Sequence, residues 1–292
     1  MFTGTYTAIV TPFRNGEVDD EALGSLIQAQ IAGGVDGIVP VGTTGESPTL
    51  NVEEHVRVIG LAVKFAAGKI RVLAGTGANA TAEAVKLTEA AARAGADGSL
   101  QVAPYYNKPS QEGLFQHFKT VAKRVPIPTV LYSIPGRCGV EIGVDTVYRL
   151  HRECPNIVGI KEAGGNADRV SQMRVTLGNR FTILSGDDSL TLPFMAVGAD
   201  GVISVASNII PREVAAMVKA AALGQWAAAQ KLHLQFYQLF RDLFIETNPV
   251  PVKAALAMMD QLQEEYRLPL VPLSAKNRET LRSTLMKYGL VK

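Results

Sequence analysis

A lysine inside an apolar run is the first residue of chemical interest. Asn156-Ile157-Val158-Gly159-Ile160-Lys161-Glu162-Ala163-Gly164 leads apolar residues straight into a lysine and ends at Gly164-Gly165. Read as a strand, Ile157 to Ala163 has the composition of one buried on both faces. An ammonium taken out of water loses hydration, which lowers its pKa and leaves more free amine. Free amine attacks a carbonyl carbon to give a Schiff base. The competing reading is a structural lysine paired with Glu162 or another carboxylate. The choice depends on what the neighbouring strands end with.

Groups that could assist an amine recur where other β-rich runs stop. They are Thr43 and Thr44, then Tyr105, Tyr106 and Asn107, then Tyr132 with Pro135-Gly136-Arg137, then Gly186-Asp187-Asp188, and last the Ile203 region. Hydroxyls and phenols can pass protons, and a guanidinium can clamp a carboxylate. Each also has a plain structural reading. Thr43-Thr44-Gly45 would be a turn and helix cap, Tyr132 a core aromatic and Arg137 a solvated cation. For Asp187-Asp188, capping the next helix is the preferred reading, and Glu162 is read as positioning its neighbours. The case for a site is convergence of all these groups at one mouth.

Convergence requires a particular arrangement of elements. The β-rich runs are Tyr6 to Phe13, Gly37 to Val41, Arg71 to Thr76, Gly98 to Ala103, Thr129 to Ile134, the Lys161 run, Phe181 to Ser185 and Gly201 to Val205. Helical patterns follow them, from Asp19 to about Gly33 and then over 52–66, 81–93, 111–123, 144–152, 168–177, 189–197 and 211–223. Helical crossovers imply parallel strands. Eight such units in about 210 residues match a closed (β/α)8 TIM barrel, whose active site lies at the C-terminal ends of the strands. A doubly wound open sheet is the runner-up, but its nearest phosphate turn, Gly75-Thr76-Gly77-Ala78-Asn79, lacks a third glycine. Further helices over 226–244, 251–264 and 276–288 exceed what one barrel unit needs. The expected division is a barrel with the catalytic site over residues 1–222 and a C-terminal helical region over 223–292.

Composition narrows the function. The 292 residues are 47% hydrophobic and 19% charged, with a formal net charge of +2. No basic cluster supports a nucleic-acid partner. No apolar run approaches the roughly 20 residues of a membrane span, and the N-terminus does not read as a signal peptide. Cys138 and Cys154 make no disulfide framework or metal spacing, which fits a reducing cytoplasm. No histidine or carboxylate cluster suggests a metal.

Five motifs fall in the order of one family. They are Gly42-Thr43-Thr44-Gly45-Glu46-Ser47, Pro104-Tyr105-Tyr106-Asn107-Lys108-Pro109, Tyr132-Ser133-Ile134-Pro135-Gly136-Arg137, Gly159-Ile160-Lys161-Glu162-Ala163 and Ser185-Gly186-Asp187-Asp188. Over essentially its whole length the chain resembles the 4-hydroxy-tetrahydrodipicolinate (dihydrodipicolinate) synthases, within the Schiff-base pyruvate lyases and aldolases. The resemblance implies a carbon–oxygen lyase that condenses pyruvate with L-aspartate 4-semialdehyde for lysine and diaminopimelate synthesis. Lys161 would carry the imine, so no metal or organic cofactor is needed. Thr43 and Thr44 would hold the pyruvate carboxylate. Thr44, Tyr132 and Tyr106 would relay protons, with Tyr106 reaching in from a neighbouring subunit of a homo-oligomer, commonly a tetramer of two tight dimers. Arg137 would clamp the aldehyde's carboxylate, and the backbone at Gly186 and Ile203 would line the pocket.

The chain departs from that pattern in places. Ser133 stands where asparagine is usual, and Cys138 where serine or threonine is usual. In feedback-inhibited members lysine binds near positions matching Ser47, Pro48, Val52, His55, Asn79, Glu83 and Tyr105. Here Ser47, His55, Asn79, Glu83 and Tyr105 remain, but Val52 replaces a polar residue and Pro48 a small one, so weak or absent inhibition by lysine is expected. Two other readings compete. One is a sister aldolase acting on a sialic acid or a 2-keto-3-deoxy sugar acid, against which Arg137 and the Tyr105-Tyr106 pair weigh. The other is a catalytically silent barrel that binds a metabolite or partner.

Overall fold

In the computed structural model, residues 2–292 are described. Among them, eight strands close into a parallel barrel: β1 (Gly4–Ala8), β4 (Gly37–Val39), β5 (Arg71–Gly75), β6 (Gly98–Val102), β7 (Thr129–Ser133), β8 (Ile157–Glu162), β9 (Thr182–Ser185) and β10 (Gly201–Ser204). They are ordered round the ring in sequence, with β10 pairing back onto β1. The outer ring of helices is α1 (Asp20–Gly33), α2 (Val52–Ala66), α3 (Thr81–Ala94), α4 (Gln111–Arg124), α6 (Val144–Glu153), α7 (Ala167–Leu177), α8 (Thr191–Ala196) and α9 (Pro211–Ala222). Their starts are written locally. Asp19 caps α1 by accepting from the Ala22 N–H, and Asn51 and Glu54 form a reciprocal capping box on α2. No helix of the described residues is long and apolar enough to cross a membrane.

The apolar residues divide into two main layers. Phe2, Tyr6, Val39, Leu73, Leu100, Val130, Tyr132, Leu184 and Ile203 fill the inside of the barrel. A larger cluster lies between the strands and the helices, and includes Ile38, Leu131, Ile160 and Ile183. Alternate residues on each strand therefore face alternate layers.

Strand β8 breaks that alternation. Ile157 joins the outer layer and Val158 packs against the inner one, so strict alternation would turn Ile160 inward and Lys161 outward. The register slips by one residue here: Thr129 pairs with Ile157, but Val130 pairs with Gly159. The extra residue sends Ile160 to the outer layer and Lys161 to the inside, level with Tyr132 on β7 and Leu184 on β9. Re-aiming a side chain beside a site is a common use of a β-bulge.

The structure corrects several sequence expectations. The first strand stops at Ala8, short of the expected Phe13. Phe13 instead opens a separate hairpin, β2 (Phe13–Arg14) against β3 (Glu17–Val18). Its turn is Asn15-Gly16, both with positive φ, which is the strongest two-residue hairpin signal a sequence carries. A short helix, α5 (Pro135–Cys138), was not expected. The helix expected over 189–197 is a tight turn over Asp188–Leu190 followed by α8.

Beyond α9, α10 (Trp226–Asp242), α11 (Val250–Met258) and α12 (Ala275–Lys287) complete the described chain. The helix expected over 251–264 ends at Met258, because Asp260 takes a left-handed conformation and Gln261 folds its N–H back onto the Leu256 carbonyl. The irregular segment that follows carries Tyr266 and Arg267 across to the loop after β4.

Candidate active site

Lys161 projects from the end of β8 and is buried, with its Nζ 4.2 Å from the centre of the Tyr132 ring. Burial pushes its pKa down to about 8, opposing the Asp188 carboxylate, which favours the ammonium, while the Arg137 guanidinium adds to the depression. Glu162 is not its partner. That carboxylate faces the opposite way, accepting from Arg169 Nε at 2.8 Å and from the Gly164 N–H at 2.7 Å. Gly186 leaves room for the lysine stem: a Cβ there would lie 2.6 Å from Ala163 Cβ and 3.1 Å from Lys161 Cε.

Tyr132, a buried residue of β7, has its phenol pushed up to about 12, chiefly by burial. Thr43, which shares a cavity wall with Tyr132, opposes that rise. Thr44 is buried, and its Oγ1 accepts from Asn248 Nδ2 at 3.0 Å. Both threonines sit in the loop after β4, where Val41 and Glu46 hold left-handed φ values of 50° and 54°. Such a conformation is costly for a β-branched residue and is typical of strained functional loops.

The cavity that Tyr132 and Thr43 line has a volume of about 210 Å³, with Arg137, Cys138, Ser47 and Tyr105 also on its wall. Arg137, on α5, is exposed, and its guanidinium donates to the Asn248 carbonyl at 3.1 Å. Lys161 is not on that wall, but the Tyr132 ring that its amine faces is. Ile203 is buried inside the barrel. Tyr106 is not brought to this cavity: it is 91% exposed, with φ at 72°.

The second expected group is partly assembled next door. Ser47, His55, Glu83 and Tyr105 line a cavity of about 120 Å³ together with Pro48 and Val52. It shares Ser47, Pro48, Gly77 and Tyr105 with the first cavity. Asn79 stays off its wall, donating to the Tyr105 carbonyl at 3.3 Å. The His55 ring lies 2.8 Å from the Gly75 carbonyl oxygen, and burial lowers its pKa.

Three features escaped the sequence reading. Asp188 does not cap the next helix; Asp187 does, accepting from the Ser189 N–H at 2.8 Å. Asp188 is buried and receives Ser204 Oγ and the backbone N–H groups of Val205 and Ala206, which ties the end of β9 to the loop after β10. Burial raises its pKa to about 6. Asn248, between Thr44 and Arg137, gave no local signal. Lys253 did give one, since it is a lone lysine in the apolar run Val250-Pro251-Val252-Lys253-Ala254-Ala255-Leu256, the same pattern that singles out Lys161.

Comparison with known proteins adds a consistent set of relatives. Residues 1–288 match the family model described as the dihydrodipicolinate synthetase family. The chain is 56% identical over 290 residues to the 4-hydroxy-tetrahydrodipicolinate synthase of Aquifex aeolicus, covering 99% of each. It superposes with a TM-score of 0.98 on the solved 4-hydroxy-tetrahydrodipicolinate synthase of Methylacidiphilum fumariolicum SolV, at 56% identity and covering 99% of this chain and 96% of that one. The dihydrodipicolinate synthase of Acinetobacter baumannii, solved in complex with pyruvate, is 44% identical with a TM-score of 0.97 and full coverage of both chains.

The desolvated amine has a direct chemical readout. Acylation of Lys161 by an amine-selective reagent, followed by peptide mapping, should rise with pH and reach half its maximum near pH 8. Below that pH the ammonium dominates and does not react. A midpoint at the pH of an ordinary exposed lysine, roughly 10, would show that burial does not control this group.

Proposed function

The chain belongs to the dihydrodipicolinate synthetase family, and on that footing we propose that it is a 4-hydroxy-tetrahydrodipicolinate synthase, condensing pyruvate with L-aspartate 4-semialdehyde in lysine and diaminopimelate synthesis. The observation that carries this reading is the buried Lys161 amine against the ring of Tyr132, which lines one cavity with Thr43 and Arg137.

The chemistry follows from these groups. The free amine of Lys161 adds to the pyruvate keto carbon, and loss of water gives an iminium. That iminium withdraws electrons from the methyl group, so a methyl proton can leave to give an enamine. Tyr132 holds its own proton at neutral pH, so with Thr43 it can both donate and pass protons during these steps. The enamine carbon then attacks the aldehyde carbon, forming the C–C bond as the aldehyde oxygen takes a proton. Attack of the second substrate's own amine on the iminium carbon closes a six-membered ring and frees Lys161. Two substrates thus give one cyclic product and one water.

The remaining roles belong to the same proposal. Thr43 and Thr44 receive the pyruvate carboxylate through hydroxyl and backbone N–H donors. Because Thr44 Oγ1 already accepts from Asn248, its own proton is free to be donated. Arg137, at the cavity wall, clamps the carboxylate of the aldehyde. Gly186 and Ile203 line the pocket with backbone. Tyr106, exposed on a left-handed backbone, is proposed to complete the relay in a neighbouring copy, within a homotetramer built from two dimers. Two free, buried cysteines fit a cytoplasmic setting. The cavity containing Ser47, His55, Glu83 and Tyr105, with Asn79 at its edge, is the place for a feedback ligand, but Pro48 and Val52 present apolar surface to it.

Borohydride reduction in the presence of pyruvate tests the central claim. Mass mapping should find a pyruvate-sized adduct on Lys161, and Lys161→Ala should abolish both adduct and condensation; a variant that condensed its substrates at the original rate would end the proposal. Arg137→Ala should raise the KM for the aldehyde at least about tenfold, as expected for loss of a charge-assisted clamp, and should raise the KM for pyruvate much less. Equal effects would remove Arg137 from that role. Millimolar lysine should leave most activity intact, and complete inhibition would show that Pro48 and Val52 do not block the second cavity.

A further inference from the structure

The loop that carries Thr43 and Thr44 is held from the far end of the chain. Glu46, three residues after Thr43, and Lys253, on α11, form an ion pair at 2.5 Å in which both side chains are fully buried. The other Glu46 oxygen accepts from the Arg267 backbone N–H at 3.3 Å. The Lys253 ammonium also lies 4.3 Å from the Phe13 ring centre and 5.4 Å from that of Tyr266, so it has little freedom to move. Asn248, just before the start of α11, donates to Thr44 itself.

Stability alone is a poor account of this pair. Burying two charges costs most of what their attraction returns, and apolar replacements of similar volume are often neutral or stabilising. A buried pair does fix geometry, and geometry is what this loop needs. Its two threonines lie between left-handed Val41 and left-handed Glu46. Each such conformation is costly for a residue other than glycine and persists only when its surroundings over-determine it. Gly45 is pressed so tightly that a Cβ would sit 2.9 Å from the Val41 nitrogen. Relaxed, the loop would carry Thr43 off the cavity wall and Thr44 away from Asn248.

We propose that Glu46 and Lys253 are positioning residues, through which the C-terminal helices hold Thr43 and Thr44 where the pyruvate carboxylate is received. The inference rests on the proposed reading of this site as a pyruvate-binding one. Neither residue touches the reacting atoms; both act through the threonines.

Borohydride trapping of pyruvate on Lys161 isolates this step, because it needs no aldehyde. Two variants are compared with the unaltered protein. In the double variant Glu46→Leu, Lys253→Met the pair becomes apolar at similar volume. In Glu46→Gln the shape is kept, but an amide N–H₂ group must face either the ammonium or the Arg267 N–H. The double variant should melt cooperatively and yet need about tenfold more pyruvate for half-maximal trapping, a loss in keeping with a small misplacement of substrate-positioning groups. Its pH midpoint should stay near 8, since Lys161 is still buried. Glu46→Gln should show a smaller rise, about threefold, on the same grounds, and it decides the matter if the double variant does not fold. Half-saturation unchanged in either folded variant would overturn the positioning role. Absence of any adduct in the unaltered protein would instead overturn the proposed function, so the two failures are distinguishable.

Discussion

The cost of an ammonium in a closed barrel is the constraint on which this site depends. Three influences act on Lys161: loss of water, the Asp188 carboxylate and the Arg137 guanidinium. The first dominates, and holding the charge here costs on the order of a few kcal/mol more than in water. A carboxylate hydrogen-bonded to the amine would reverse that balance. The fold avoids it by turning Glu162 outward onto Arg169 and by occupying Asp188 with Ser204 and two backbone N–H groups. The nearest carboxylates are thus committed elsewhere, and the amine is left against the face of Tyr132.

That placement depends on one extra residue in β8. With strict alternation the pattern that turns Val158 inward would turn Lys161 into the helix layer, with Leu131 and Ile183 of the neighbouring strands. The slip opposite Thr129 and Val130 exchanges the two faces. Gly186 serves the same end, because any side chain there would meet the lysine stem. The reactive group is positioned by regular barrel pairing on either side of a single irregularity, which makes it more rigid than a loop-borne group would be.

The threonines are held differently. They sit on a strained loop, and strain of this kind has to be balanced by contacts made elsewhere. Those contacts come from Asn248 just before α11, from α11 itself and from the segment between α11 and α12, all outside the barrel. The C-terminal helices are therefore continuous with the site, although no strand of the barrel needs them. Two cavities share a wall at Ser47, Pro48, Gly77 and Tyr105, so a shift in this loop would be felt in both.

By itself the sequence determined the eight alternating units, the parallel barrel and the residues at its mouth. All three are local: short continuous apolar runs, helix caps such as Asn51 with Glu54, and a lysine where an apolar run ends. Even the missed hairpin at Asn15-Gly16 was legible by the same means. What the tertiary structure decided was orientation and partnership. Nothing near Val158 announces a bulge, because its effect is defined against β7. Nothing near Thr44 says that its hydroxyl is claimed by Asn248, 204 residues away. Glu46 and Lys253 are 207 residues apart, and although Lys253 stands out in its apolar run, nothing local names Glu46 as its partner. A buried charge has meaning only with its partner, and partners so far apart in the chain are chosen by packing, which no local pattern records.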